Sequence, residues 1–223
     1  MGEAAETAAI EAAYTIADAA RYLHLADSTL RYWVRGKGPH PPVIILDTSD
    51  YLSFRNLVEA HVLRGLRRKK DLTLPGIRKI VSLLGDELGV ERPLAHRDLR
   101  LYGARILVER GGVLVDLVPL GQLVIPEVFE AHLERIDFEH DIAVTLYPFT
   151  RVHEGLPQPT EPKIVRIDPR VAYGRPFIGD AIRTEVISSR FGAGETIPEL
   201  AEDYGCPQEQ IEEAVRYHHK EAA

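Results

Sequence analysis

The chain has 223 residues, 45% apolar and 27% charged, enough for one to two domains with a buried core and incompatible with a disordered chain. No apolar run approaches the length of about 18 residues that a membrane span requires, and Met1–Glu6 lacks the basic start of a secretory signal. The lone cysteine, Cys206, excludes an internal disulfide and a zinc site built from several thiolates, and suits a reducing cytoplasm.

The net charge of −7 argues against nucleic acid for the chain as a whole, but it is unevenly spread. Residues 14–80 hold twelve Lys and Arg against six Asp and Glu, a surplus of six, so the remainder carries −13. A basic third tied to an acidic remainder is the asymmetry of a nucleic-acid-binding module joined to something else.

In chain order, residues 1–13 are rich in Ala and Glu and read as a flexible tail or a short helix. Residues 14–35 predict two short helices broken at His24-Leu25-Ala26, and Gly36–Pro42 a turn full of helix breakers. The β-branched run Val43-Ile44-Ile45-Leu46 predicts a strand. Apolar residues at helical spacing predict helices over 53–70 and 74–88, the second with Pro75 in its first turn. Apolar runs at 105–108 and 113–117 around Gly111-Gly112 predict a hairpin. A helix over 126–136 and a strand over 144–149 follow. Three prolines within 154–162 predict a semi-rigid linker. Beyond it come a strand at 164–167 and helices over 182–190, 196–204 and 208–220; Thr196 and Glu199 have the spacing of a capping box, and Gly205 that of a C-terminal stop.

The fold class that follows is mainly α with small β elements. It has a tail over 1–13, a winged helix-turn-helix head over 14–90 and an α+β middle segment over 91–153. After the 154–162 linker, a helix-turn-helix-like three-helix domain fills 163–223.

Chemistry concentrates in the head. Ile16, Ala19, Ala20, Leu23, Leu25, Leu30 and Val34 form a small core, and Asp27 or Ser28 can cap the second helix. The face that remains carries Ser28, Thr29, Arg31, Tyr32 and Arg35, preceded by Thr15 and followed by Lys37 and His40. Hydroxyls suit phosphates, and arginines reach base edges or phosphates in a major groove. The candidate DNA-binding residues are therefore Thr15, Ser28, Thr29, Arg31, Tyr32, Arg35 and Lys37. The bland alternative is an amphipathic helical hairpin with a solvated basic face.

Other polar groups predict no site. Neighbouring His218 and His219 point to different faces, His132 and His140 lack ligand-spaced partners, and Asp137-Glu139-Asp141 lacks the glycine and distal Glu of a calcium loop. Glu199, Glu202, Asp203, Glu209, Glu212 and Glu213 read as solvated helix faces. With no phosphate-cradling glycine motif and no nucleophile elbow, the chain is expected to be non-enzymatic, without cofactor or metal.

Residues 14–84 resemble the MerR-type winged helix-turn-helix, through Tyr14-Thr15-Ile16-Ala17-Asp18-Ala19-Ala20 and Ser28-Thr29-Leu30-Arg31-Tyr32-Trp33, then 57–67 and 75–80. The chain departs from that family after Leu88, where no long heptad helix is sustained. Residues 164–219 resemble domain-of-unknown-function family 433, through Ile167–Val171, Gly174–Gly179 and Ala193–Tyr204; where that family reads Gly-Thr-Arg-Ile, this chain has Gly179-Asp180-Ala181-Ile182. The combination resembles VapB-type antitoxins. That resemblance implies a homodimer on a palindromic operator in double-stranded DNA and a PIN-like ribonuclease toxin as partner. Because such nucleases cluster carboxylates around a divalent metal, basic side chains of the tail are the candidate contacts: Arg166, Arg170, Arg175 and Arg183. Arg170 and Arg175 can equally brace their own loop. The alternatives are a one-component regulator sensing a small molecule in the middle segment, and an interaction adaptor that no longer binds DNA.

Overall fold

The computed structural model describes residues 2–11, 13–48, 50–66, 74–102, 126–151 and 161–218. The hairpin expected over 105–117, and all of the 154–162 linker except its last two residues, lie outside them. The chain divides into two compact units, 1–144 and 145–223.

The first unit opens with α1 (Gly2–Ile10), whose Ala5 and Ala9 are buried and which packs on α4 (Phe54–Leu66). Then come α2 (Ile16–Tyr22) and α3 (Asp27–Arg35), broken at His24 as the pattern predicts. His24 takes a positive φ of 50° there, and Leu25 donates its N–H back to the Ala20 carbonyl at 2.8 Å. Ala19 and Ala20 are fully buried, which lets the two helices cross closely. A two-way backbone pairing of Tyr14 with Leu52 ties the entry to α2 to the entry to α4. The helix predicted over 53–70 is described as far as Leu66, and α5 (Leu74–Leu88) has the bounds its periodicity predicts.

The run 43–46 is not a strand. Pro41 and Pro42 supply no amide donors, and the N–H groups of Val43 and Ile44 both donate to the Trp33 carbonyl, at 2.8 and 3.0 Å. The segment thus satisfies the end of α3 instead of a ladder. The projecting element is the tight turn before it, closed by reciprocal backbone hydrogen bonds between Lys37 and His40. Gly36 is required at its base: φ is +72° and a Cβ would overlap the His40 carbonyl oxygen.

A short 3-10 turn (Pro93–Ala95) packs on α4, as does α6 (Pro126–Leu133). The helix predicted to 136 stops at Leu133, and Ile136 opens β1 (Ile136–Glu139), paired with β2 (Ile142–Leu146). The strand predicted over 144–149 thus starts two residues earlier and ends before Pro148.

In the second unit, Ile167 pairs with Leu146 and Arg166 with Phe177, so 164–167 makes single bridges on either side rather than a strand. β3 (Phe177–Ile178) and β4 (Ile182–Arg183) form an antiparallel hairpin. Helices α7 (Thr184–Gly192), α8 (Ile197–Tyr204) and α9 (Gln208–His218) close over Val165, Ile178, Ile187, Leu200, Ile211 and Ala214. The Thr196–Glu199 capping box forms with both arms, and Gly205 ends α8 at φ 62°. Residues 145–151 belong to this unit because Glu161 accepts the N–H of Thr150 at 2.9 Å and of Arg151 at 3.2 Å. Glu213 is buried, not solvated: it accepts from Thr150 Oγ1 at 2.5 Å and Arg151 Nη2 at 2.6 Å, and pairs with Arg216.

Candidate nucleic-acid interface

α3 sorts its nine residues cleanly. Leu30, Trp33 and Val34 are buried on one side. Ser28, Arg31 and Arg35 are exposed and Tyr32 half-exposed, at i, i+3, i+4 and i+7, so they make one outward stripe. Thr29 is half-buried beside it. Neither Asp27 nor Ser28 caps the helix; the N-cap is Ala26, without a side-chain hydrogen bond. The Ser28 hydroxyl therefore stays available on the surface.

The candidates differ in how committed they already are. Thr15 caps α2: its Oγ1 accepts the Asp18 N–H at 3.0 Å and donates to the Asp18 carboxylate at 2.7 Å. Arg35 pairs with Asp50 at 3.4 Å, both side chains well exposed. Ser28, Arg31 and Lys37 have no side-chain hydrogen bond or ion pair among the described residues. Lys37 lies on the exposed turn that follows α3. The structure thus brings Ser28, Arg31, Tyr32, Arg35 and Lys37 together and leaves Thr15 as a capping residue at the start of α2.

A buried polar cluster holds the segment behind this surface. Asn56 accepts the N–H groups of Asp47 and Ser53 at 3.2 and 3.3 Å and donates to the Ile45 carbonyl and to Glu59 at 2.9 and 3.0 Å. Asp47 pairs with Arg55, and Arg92 clamps Glu59 through two hydrogen bonds of 2.9 and 3.1 Å. Burial pushes the Asp47 carboxyl up, but hydrogen bonds from Arg55 and Ser53 outweigh it and hold the group below the usual range. Burial dominates at Glu59 and raises its pKa despite Arg92. No local sequence signal marks this cluster, because Arg92 lies 33 positions from Glu59 and 45 from Asp47.

Of the tail arginines, Arg166 donates to the Gly179 carbonyl and lies 5.0 Å from the Phe177 ring centre. Arg170 grips Asp168 with its backbone N–H, Nε and Nη2 at 2.8–3.0 Å. Arg175 makes one exposed contact with Glu185 at 3.4 Å. Arg183 is exposed and has no side-chain partner among the described residues. Between Arg170 and Arg175, Ala172, Tyr173 and Gly174 all have positive φ, and Tyr173 is 93% exposed; no sequence signal marked it. Among the described residues, no group of three or more His, Cys, Asp or Glu is placed to hold a metal ion, and no helix is long and apolar enough to cross a membrane.

The fold and this surface define the class: a MerR-type helix-turn-helix protein with a DUF433 domain at its C-terminal end. The MerR HTH family of regulatory proteins matches residues 14–84, and the family described as "Protein of unknown function (DUF433)" matches 165–218. The protein named "Putative antitoxin VapB45" of Mycobacterium tuberculosis is 31% identical over 229 residues, covering 91% of this chain and 92% of that one. "Uncharacterized protein Rv2308" of the same organism is 24% identical over 92% of this chain and 89% of its own length. The crystal structure of Rv2018, also from M. tuberculosis, superposes with a TM-score of 0.71 at 28% identity, covering 92% of this chain and 98% of that one. The chain belongs to the family of VapB45, and in this chain a MerR-type head precedes a DUF433 tail.

Proposed function

We propose that the protein is a DNA-binding antitoxin that represses its own operon and neutralises a PIN-like ribonuclease toxin in the bacterial cytoplasm. The observation that carries the DNA half is the outward stripe of α3, with Ser28 and Arg31 uncommitted to any internal partner. Arg31 and Arg35 reach the major groove, Ser28, Thr29, Tyr32 and Lys37 hold phosphates, and Thr15 keeps the start of α2 in shape beside them. A homodimer sets two such helices on half-sites one helical turn, or a multiple, apart, so the operator is palindromic. The middle segment, 91–153, joins the two functional ends and contributes to the dimer.

The toxin half rests on kinship with a protein named as an antitoxin and on tail chemistry. Arg183 leads the candidate contacts because its guanidinium has no internal partner, and Arg175 follows because its single ion pair is long and exposed. Arg166 and Arg170 are held within their own unit and shape the surface rather than reach from it. The chain acts by binding, not catalysis. The test is co-expression with the adjacent reading frame, with a tag on this chain alone. A stable complex, together with relief of the neighbour's toxicity, supports the reading. A harmless neighbour that does not co-purify refutes the toxin half and leaves a DNA-binding regulator.

A further inference from the structure

Tyr173 of the second unit is 93% exposed, whereas no other large apolar side chain among the described residues exceeds the 65% of Ile45. It has no side-chain hydrogen bond, ion pair or ring contact among those residues. It stands in the middle of three consecutive left-handed positions, with φ 49° at Ala172, 57° at Tyr173 and 69° at Gly174. Glycine takes such angles freely, as Gly174 does, but a residue with a Cβ takes them under strain, and a bulky one rarely. A turn that served geometry alone would carry glycine or asparagine at 173. This chain places there a large ring that buries almost none of its surface.

The strain is held from both sides. Before the turn, the Asp168 carbonyl accepts the Val171 N–H at 3.0 Å, and the Asp168 carboxylate accepts the N–H, Nε and Nη2 of Arg170 at 2.8, 3.0 and 2.8 Å. Within it, the Gly174 N–H donates to the Val171 carbonyl at 2.9 Å and the Arg175 N–H to that of Ala172 at 3.1 Å. After it, Phe177 exchanges both backbone hydrogen bonds with Arg166 at 2.9 Å. Gly174 and Pro176 are buried while Tyr173 and Arg175 are exposed. The loop is thus seated on its inner side and shows an aromatic ring and a cation on its outer side. The Pro176 carbonyl accepts the Thr184 N–H at 3.0 Å, which brings the preceding residue, exposed Arg183, to the end of the same loop. Strain that the surroundings over-determine is typical of binding sites, and a backbone fixed before association lowers the ordering cost of binding.

We infer that Tyr173 is the aromatic anchor of the tail's protein interface: its ring enters an apolar pocket of the partner, and Arg175 and Arg183 meet an acidic rim around that pocket. The inference rests on the proposed toxin partner and names where on the tail it docks. Tyrosine and arginine are enriched among the residues that dominate interface energetics; the ring contributes buried area, and the cations contribute orientation and association rate. A single-stranded nucleic acid would also stack on the ring, but it needs a groove of free cations along its backbone. Of the three arginines flanking the ring, Arg170 is committed to Asp168 and Arg175 to Glu185, and only Arg183 lacks an internal carboxylate among the described residues. That arrangement favours a protein surface.

The experiment measures, by interferometry, binding of the full chain and its variants to the product of the adjacent reading frame, immobilised after release from the co-expressed complex. Tyr173→Gly and Tyr173→Asn weaken binding at least about 30-fold, the size of an interface hot spot. Neither lowers the unfolding temperature, because both residues accept a left-handed backbone. Tyr173→Phe keeps the ring and stays within about five-fold of wild type, the loss of at most one hydrogen bond. Wild-type affinity in Tyr173→Gly, or a loss in Tyr173→Phe as large as in Tyr173→Gly, overturns the anchor and leaves the toxin reading standing. A change in the free chain's own oligomeric state on Tyr173→Gly, read by sedimentation, assigns the ring to a second copy and also overturns it. A wild-type chain that does not bind the neighbour refutes the toxin reading itself, and the anchor with it.

Discussion

Arg31→Ala separates DNA reading from folding more cleanly than any other change to α3. Arg31 is exposed and has no internal partner among the described residues, so its truncation falls in the class of surface substitutions that alter stability by less than about 0.5 kcal/mol. Leu30, Trp33 and Val34, which hold the helix down, are untouched. A bidentate contact from Arg31 to a base is worth about 1–3 kcal/mol, which is about 5- to 150-fold in Kd. Arg35→Ala costs less, since part of that guanidinium is already spent on Asp50. Fluorescence anisotropy on a duplex from upstream of the protein's own reading frame, between about 50 and 200 mM salt, measures both variants, with thermal unfolding as the control. A base contact shows as loss on the operator with little change on scrambled DNA. A phosphate contact shows as equal loss on both, with the salt slope reduced by about one. An Arg31→Ala protein that binds the operator as tightly as wild type, with the same salt slope, refutes the assignment of this face.

Three further outcomes follow from the same structure. Gly36→Ala forces a side chain onto φ +72° and against the His40 carbonyl, so chemical denaturation should show a loss of at least about 1 kcal/mol, with weaker operator binding as the turn shifts; unchanged stability would contradict the turn geometry. His61 is buried, donates Nε2–H to the His132 carbonyl at 3.0 Å and lies near Arg64 and Arg135. Burial first, then His132, holds its pKa well below the ordinary 6.5. Its stabilising contribution is therefore full above pH 6.5 and is lost as pH falls below that value toward the folded pKa, at up to about 1.4 kcal/mol per pH unit. Urea unfolding between pH 7.5 and 5.5 should show this slope in wild type and a shallower one in His61→Asn; identical slopes would remove His61 as the cause. Arg183→Glu should abolish rescue from the toxin while leaving operator affinity within two-fold, and intact rescue would move the toxin contact off this arginine.

What periodicity governs was legible in the sequence. The spacing of Leu30 and Val34 gave α3 its orientation, with Trp33 joining them on the buried side, and Thr196, Glu199 and Gly205 marked both ends of α8, because these signals act over one helical turn. What long-range pairing governs was not. Glu213 sits among acidic neighbours on α9, and nothing local distinguishes it from Glu209 or Glu212, which are exposed; only Thr150 and Arg151, some 62 positions away, make its burial possible. The run 43–46 has strand composition, but two preceding prolines and the open carbonyl of Trp33 redirect its amides. For the interface, residue types located the stripe, while the prior commitments of Thr15 and Arg35 became visible only with their partners in place.

The clamp between Arg92 and Glu59 bears on how such a head can be inherited. The match to the MerR family ends at residue 84, yet Glu59, fully enclosed in α4, is neutralised from beyond that limit. Cut at the family boundary, the head would keep a buried carboxylate without the arginine that clamps it, leaving only Asn56 and the more distant Arg55, and losing one partner of a buried pair costs up to about 3–5 kcal/mol, much of a small domain's total stability. The transferable unit is therefore longer than its recognisable motif. In this chain, then, the helix-turn-helix depends on the segment that carries Arg92, beyond the Leu88 end of α5.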